Sequence, residues 1–446
     1  MKIKEELEKF QKNRPKSKEI WQKALNVLPG GISHNIRTFG LDLIGGFPVF
    51  IKSAYGPYLK DIDEIEYVDC WNGHFAMILG HNPPEVQQII KEYLSYGWHF
   101  GTNTEYQVQL AESIIQNNPG INKVRFCVTG TEATMYASRL ARAFTKRRII
   151  AKAKLGWHGA SDTLYYDVKN LKGGEITPGL PEAKKAGIFT FEINNESIFE
   201  LIKTHKDDLA AVILEPLMGG GGGFTAKLEY LKRLREETDR FGILLIFDEI
   251  ITGYRFTHAL YQTRLNVIPD LTTMGKIIGG GMPIGAIGGR KEIIDRSAPL
   301  SENQVPIGGG TFSGYPLSMI AGFKTLEILK KSENDYERIN KEGNALLNNL
   351  NQYFNDNKIP IVAVGHESII MLHGMSKWIE NPSMRDIIEF KDKKREALIQ
   401  LMLFNRNISG LHGLGSISMA HTHDHINQIQ KVVEEIAEPI SKSKFN

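Results

Sequence analysis

The chain has 446 residues, enough to bury a large core and to divide into more than one lobe. Its charges nearly cancel, 54 basic against 51 acidic for a net +3, which argues against a nucleic-acid footprint or an acidic tail. No apolar run approaches the roughly 18 residues of a membrane span, and Cys70 and Cys127 alone make no disulfide framework, so a cytoplasmic location is expected.

The N-terminal segment is charged and helical in pattern, with no secretory apolar core. Residues 1–28 read as two helices broken near Pro15 and ended by Leu28-Pro29-Gly30-Gly31. Residues 48–69 alternate and turn like a small antiparallel unit, with strands expected at Pro48–Ile51, Tyr58–Asp61 and Tyr67–Asp69. An amphipathic helix is expected over 105–118. From about 123 the pattern becomes strand, tight turn, helix. Val124–Val128 leads through Thr129-Gly130-Thr131-Glu132 into a helix over 132–145. Ala210–Leu214 ends at Glu215-Pro216, and a helix over 226–240 feeds a strand at 243–247. Buried strands alternating with helices mark a mostly parallel α/β sheet. From about 325 onward, helices mix with short strands in a second, α+β lobe. There are no internal repeats or low-complexity tracts.

Asp248 follows the apolar run Ile243–Phe247, which places a carboxylate at the carboxyl end of a buried strand, where open α/β sheets bind ligands. A helix cap or an internal salt bridge would use the same residue. A Walker-B role would require G-x-x-x-x-G-K-[ST], which the chain lacks. Lys276 stands in Met274-Gly275-Lys276-Ile277-Ile278-Gly279, with no other charge between Asp270 and Arg290. Apolar surroundings depress a lysine pKa, and the neutral amine is the form that condenses with an aldehyde. Most lysines are solvated surface charges, so the setting rather than the residue type carries that reading.

An anion cradle has two candidates. Thr129-Gly130-Thr131-Glu132 opens a helix with two hydroxyls and free N–H groups, although an ordinary N-cap uses the same residues. Gly308–Gly314 is a second glycine-and-hydroxyl loop containing Thr311. The glycines at 219–223 do not complete G-x-G-x-x-G, because position 224 is Phe. Trp157-His158-Gly159 offers an aromatic face for a flat ring, or simply a core tryptophan. His421, His423 and His425 alternate as on a strand face, but the segment runs into an amphipathic helix over Ile426–Ile436 and lacks a clear fourth ligand, so no metal is expected.

Taken together, these residues resemble the class III aminotransferases of fold type I, and most of all the glutamate-1-semialdehyde 2,1-aminomutase-like group. The resemblance runs from about residue 25 to 435 and is strongest over Val124–Ala143, Leu245–Arg255 and Asp270–Arg290. It implies pyridoxal 5′-phosphate as cofactor. It also implies a large cofactor-binding domain over 71–325 with a mostly parallel central sheet, and a small α+β domain built from 1–70 and 326–446.

By the same resemblance, Lys276 links covalently to the cofactor and shuttles a proton, and Asp248 pairs with the ring nitrogen. Gly130 and Thr131 bind the phosphate. Trp157 stacks on the ring where the family usually has Tyr, with His158 beside it, and Ile250 packs on the other face. Glu215 lies near the phenolic side. Thr311 is expected to reach the neighbouring subunit's site in a homodimer, and Arg37 to hold a substrate carboxylate. The chain departs from the aminomutase pattern in three places: His74 replaces a pocket tryptophan, Gly413 beside His412 replaces a glutamate, and glycine fills 219–223. The expected function is ping-pong transamination between an amino donor and a keto acid. The alternatives are intramolecular amino transfer and, in another class, a non-catalytic binding protein on the same fold.

Overall fold

A computed structural model describes residues 3–169, 171–174 and 177–443. Residues 1, 2 and 444–446, which the expected terminal segments included, lie outside it. The chain forms two compact units, one of residues 1–83 and 337–446 and the other of residues 84–336. These boundaries fall later than the expected 70/71 and 325/326, and the second falls inside the helix Glu333–Asp356.

The terminal unit opens with helices Ile3–Asn13 and Pro15–Val27, separated at Arg14 because Pro15 is favoured at a first helical position. Strands β1 (Ile51–Tyr55), β2 (Tyr58–Asp61) and β3 (Glu66–Asp69) follow. The first lies three residues later than expected. Its limits are set by pairing with β2, which runs from Ile51 opposite Asp61 to Tyr55 opposite Tyr58 across the Gly56-Pro57 turn. The helix Glu105–Gln116 in the other unit matches its expected position closely.

The central unit carries a seven-stranded sheet. Its strands are β4 (Lys123–Cys127), β5 (Ile149–Ala153), β6 (Ile188–Phe191), β7 (Leu209–Leu214), β8 (Leu244–Asp248), β9 (Leu271–Gly275) and β10 (Gly285–Gly289). The spatial order is β4-β10-β9-β8-β7-β5-β6. Pairs β6/β5, β5/β7, β7/β8 and β8/β9 are parallel, and β10 runs antiparallel to both neighbours. Every residue of β5, β7, β8 and β9 is buried, which is why β7 and the first four residues of β8 read as continuous apolar runs rather than alternating ones. Because β4 pairs antiparallel with β10, which is itself antiparallel to β9, β4 points the same way as the parallel strands. The carboxyl ends of β4, β5, β7, β8 and β9 therefore share one edge of the sheet.

The terminal unit is completed by β11 (Ile361–His366), β12 (Ile369–Gly374), β13 (Ile408–Ser409) and β14 (Gly415–Ser416). Strand β13 adds in parallel to β3, so residues from both ends of the chain share one sheet. The helix His423–Ser441 buries Ile426, Ile429, Val433, Ile436 and Ile440 in this unit's core, the spacing of a one-sided apolar stripe. His423 and His425 lie in the first turn of this helix and His421 just before it, as the run into an amphipathic helix implied. His421 bonds Ser418, while His425 caps the helix through Thr422 and contacts the Tyr58 hydroxyl. No described helix is long and apolar enough to cross a membrane.

Candidate active site

Asp248 is the last residue of β8, and Lys276 follows the last residue of β9 by one. Parallel pairing sets Asp248 opposite Thr273, whose hydroxyl donates to Asp248 Oδ1 at 3.0 Å. The backbone N–H of Ile250 donates to the same oxygen at 3.2 Å. The other oxygen meets His158 Nδ1 at 2.8 Å, with both side chains buried. Burial holds His158 below the usual histidine range despite the Asp248 contact. The neutral ring then carries its proton on Nδ1, and its Nε2 has no partner among the described residues. The carboxylate is thus fixed by three donors.

Lys276 has φ of 49°, the left-handed region that costs a non-glycine residue roughly 1–3 kcal/mol. Burial pushes its pKa below the usual lysine range, with the charges of Asp248 and Glu215 opposing. Glu215 follows β7 directly. Its oxygens accept from the backbone N–H groups of Trp157 and Gly219, both at 3.0 Å. Burial, and then the Asp248 charge, raise its pKa above the carboxylate range.

The helix after β4 runs from Gly130 to Thr145, two residues earlier than expected. Thr129 caps it in a reciprocal box with Glu132. The capping role therefore belongs to Thr129, which leaves Gly130, Thr131 and their first-turn N–H groups for another partner. A Cβ on Gly130 would come within 2.6 Å of Ile250 Cδ1. Gly159, at φ of 82°, lies so close to Thr131 that any side chain there would collide with it.

A cavity of about 190 Å³ gathers these groups. Gly130, Thr131, Trp157 and Gly159 line one part, and Glu215, Asp248, Ile250 and Lys276 another. Trp157 is 41% exposed, so it is not a core tryptophan. His158 supports the cavity through Asp248. Thr311 does not line it; it is exposed on the loop 308–314. Arg37 and His74 lie in the terminal unit, on a separate cavity of about 460 Å³, and His412 packs against Trp71 of that cavity's wall.

The sequence does not single out Thr273, Ile251 or Ile284, nor Lys152, whose buried Nζ donates to the carbonyls of Gly156 and Tyr166. A hydroxyl directly across from Asp248 in a parallel pair was the available signal for Thr273. Nothing in the local sequence marked Lys152.

An amine of lowered pKa, a fixed carboxylate, a helix N-terminus and a flat indole around one cavity match the aldehyde, ring nitrogen, phosphate and ring of pyridoxal phosphate. The family Aminotransferase class-III matches residues 44–364. The chain belongs to the class III aminotransferases. One relative, named glutamate-1-semialdehyde 2,1-aminomutase, from Legionella pneumophila (strain Lens), is 40% identical over 353 residues, covering 78% of this chain and 81% of its own. An omega-transaminase from Sphaerobacter thermophilus superposes with a TM-score of 0.86 at 28% identity, over 95% of this chain and 97% of that one. A beta-phenylalanine aminotransferase from Variovorax paradoxus gives 0.86 at 25% identity, over 98% and 97%. Both structures share the fold, and the family makes this chain an enzyme of amino-group transfer.

Proposed function

We propose that this protein is a pyridoxal 5′-phosphate-dependent aminotransferase that moves an amino group from a carboxylate-bearing donor to a keto acid and works as a homodimer. The observation that carries the reading is the joint placement of Lys276, Asp248, Gly130 and Thr131 around one cavity.

When bound, the cofactor supplies an aldehyde that accepts amines and a ring that accepts electrons. The chain's own residues do the rest. Lys276, of lowered pKa, is able to attack as a free amine and to carry a proton between donor carbon and cofactor. Asp248, held by Thr273, Ile250 and His158, keeps a proton on the ring nitrogen. The first turn at Gly130 and Thr131 holds the phosphate, Trp157 and Ile250 cover the two ring faces, and Glu215 faces the phenolic side. Arg37 binds the donor's carboxylate, and Thr311 serves the second subunit's phosphate.

Intramolecular amino transfer is the second reading, favoured by the name of the 40%-identical relative. Against it stand His74 and Gly413. Gly413 has φ of 84° and lies against Leu372, so no side chain fits at the position of the aminomutase's glutamate. Two assays separate the readings. Holoenzyme given an amino donor and no acceptor should accumulate the pyridoxamine form, and an added keto acid should restore the pyridoxal form. Isomerisation of glutamate-1-semialdehyde without any acceptor, and no turnover with donor–acceptor pairs, would overturn transamination.

A further inference from the structure

Strand β5 is buried throughout, yet it carries a lysine. The Lys152 side chain has no exposed surface, and a basic group persists in such a place only where fixed partners replace water. Its Nζ donates to the carbonyl of Gly156 at 3.0 Å and to that of Tyr166 at 2.6 Å. No step proposed above uses this side chain.

The chain reaches Gly156 by turning back on its own strand. Leu155 has φ of 65°, its N–H donates to the Asp167 carbonyl at 2.8 Å, and the Gly156 N–H donates to the Ala153 carbonyl at 3.2 Å. A Cβ on Gly156 would lie 2.9 Å from His158 Nε2 and 3.1 Å from the Ala153 carbonyl oxygen. The glycine that Lys152 holds is therefore the one packed on the imidazole. The helix Gly130–Thr145 secures the same histidine through its backbone, since the Thr134 hydroxyl donates to the His158 carbonyl at 2.6 Å.

The two ring nitrogens of His158 have unlike neighbours. Nδ1 meets Asp248 Oδ2 at 2.8 Å. Nε2 faces Gly156 and is buried with no hydrogen-bond partner among the described residues. A proton on Nε2 would be a buried donor without an acceptor, at a cost of roughly 1–3 kcal/mol. Burial above all, and the Lys152 charge after it, oppose a second proton on this ring, while the Asp248 contact favours one.

We propose that Lys152 is a positioning residue for Asp248: by holding Gly156 against His158 Nε2, it confines the histidine's single proton to Nδ1, so that Asp248 meets a neutral donor and not an imidazolium. An imidazolium would cancel the carboxylate within one buried pair, whereas a neutral N–H orients it and leaves its charge for the cofactor's ring nitrogen. The effect on the cofactor rests on the proposed pairing of Asp248 with that nitrogen; the state of His158 does not.

The test follows isotope-labelled histidine in holoenzyme by nitrogen NMR, with the His158 ring assigned from its loss in His158→Gln. Between about pH 5.5 and 8.5 the unaltered ring should carry one proton, on Nδ1. Lys152→Met should let the ring take up a second proton within that range, whereas Lys152→Arg, which keeps the charge and the donors, should not. Lys152→Gln removes the charge but keeps a donor, and it stands in if Lys152→Met does not fold. A parallel sample carries cofactor labelled at the ring nitrogen. In Lys152→Met that nitrogen should bind its proton about tenfold more weakly or less tightly still, a fall of about one pH unit in its titration. A purely structural lysine would lower the melting temperature and leave both proton counts unchanged. An imidazolium near neutral pH or a proton on Nε2 in the unaltered protein would overturn the inference. So would a His158 that stays singly protonated in both Lys152→Met and Lys152→Gln. His158 titrating as expected beside an unmoved ring nitrogen would overturn the Asp248 pairing. Protein that binds no cofactor would sink the transaminase reading, while the histidine signals still decide the role of Lys152.

Discussion

Asp248 and Lys276 owe their chemistry to what fixes them. The Asp248 carboxyl group is buried and meets three donors, so its position and direction are set before any ligand arrives. Asp248→Asn removes the charge while keeping the shape, and kcat should fall by roughly 10²–10³-fold with the melting temperature little changed. Steady-state kinetics beside a thermal melt would check this, and an unchanged kcat would remove Asp248 from the mechanism. His421 makes a different residue-scale prediction. Burial chiefly holds it at about 4 against a usual 6.5, with the Asp69 charge opposing. The unfolded chain takes up this proton near 6.5 and the folded one only near 4, so folding stability is full above 6.5 and declines as pH falls towards 4. His421→Gln should flatten that decline by roughly 1–3 kcal/mol in denaturation at pH 7 and pH 4.5. An identical decline in both proteins would contradict the assignment.

The turn from Leu155 to Gly159 is the element that aims the indole. Lys152 ties it through the carbonyl of Gly156 and links it to that of Tyr166, Glu215 ties Trp157, and Asp248 ties His158. Lys152→Met leaves two buried carbonyls without this donor and should cost roughly 2–3 kcal/mol in stability as well as loosening the cofactor. Gly159→Ala should act on the cofactor more selectively. The new methyl collides with Thr131, so cofactor affinity should drop about tenfold or more, read by titrating apoprotein through Trp157 fluorescence. Unaltered affinity would mean that Thr131 does not bind the phosphate. Elements were legible in the sequence where local physics decides. The apolar runs of β7 and β8 and the stripe at Ile426–Ile436 lie within a residue or so of the observed elements or inside them. The helix starts at Gly130, two residues before its expected start, because the cap and the candidate anion-binding residues are neighbours, and only the Thr129–Glu132 bonds separate their roles. The shift of β1 and the role of Lys152 depend on partners distant in sequence, which no local pattern reports.

At the scale of the whole molecule, each unit has its own core, and the two candidate ligand cavities fall one to each. The proposed dimer gives a meaning to an aromatic surface of the central unit. Tyr96, Trp98 and Phe312 are 75%, 66% and 50% exposed, and the Phe312 ring lies 5.1 Å from that of His99. Exposed aromatic clusters of this kind mark interaction surfaces, and Thr311 is adjacent in the chain. Trp98→Asp combined with Phe312→Asp should convert a dimer into monomers in sedimentation velocity and reduce cofactor retention; a dimer unaffected by both changes would place the interface elsewhere. The order of motifs made the family legible, because several weak signals occur in one sequence. The cavity they form, and the cavity of the terminal unit that Arg37 and His74 line, required the fold.

The central claim is that Lys276 holds the cofactor. Borohydride reduction of the purified holoenzyme, followed by digestion and mass spectrometry, tests it directly. A phosphopyridoxyl group should be fixed on Lys276 and absent from Lys276→Ala; a label on another lysine, or one that persists in that variant, would contradict the account.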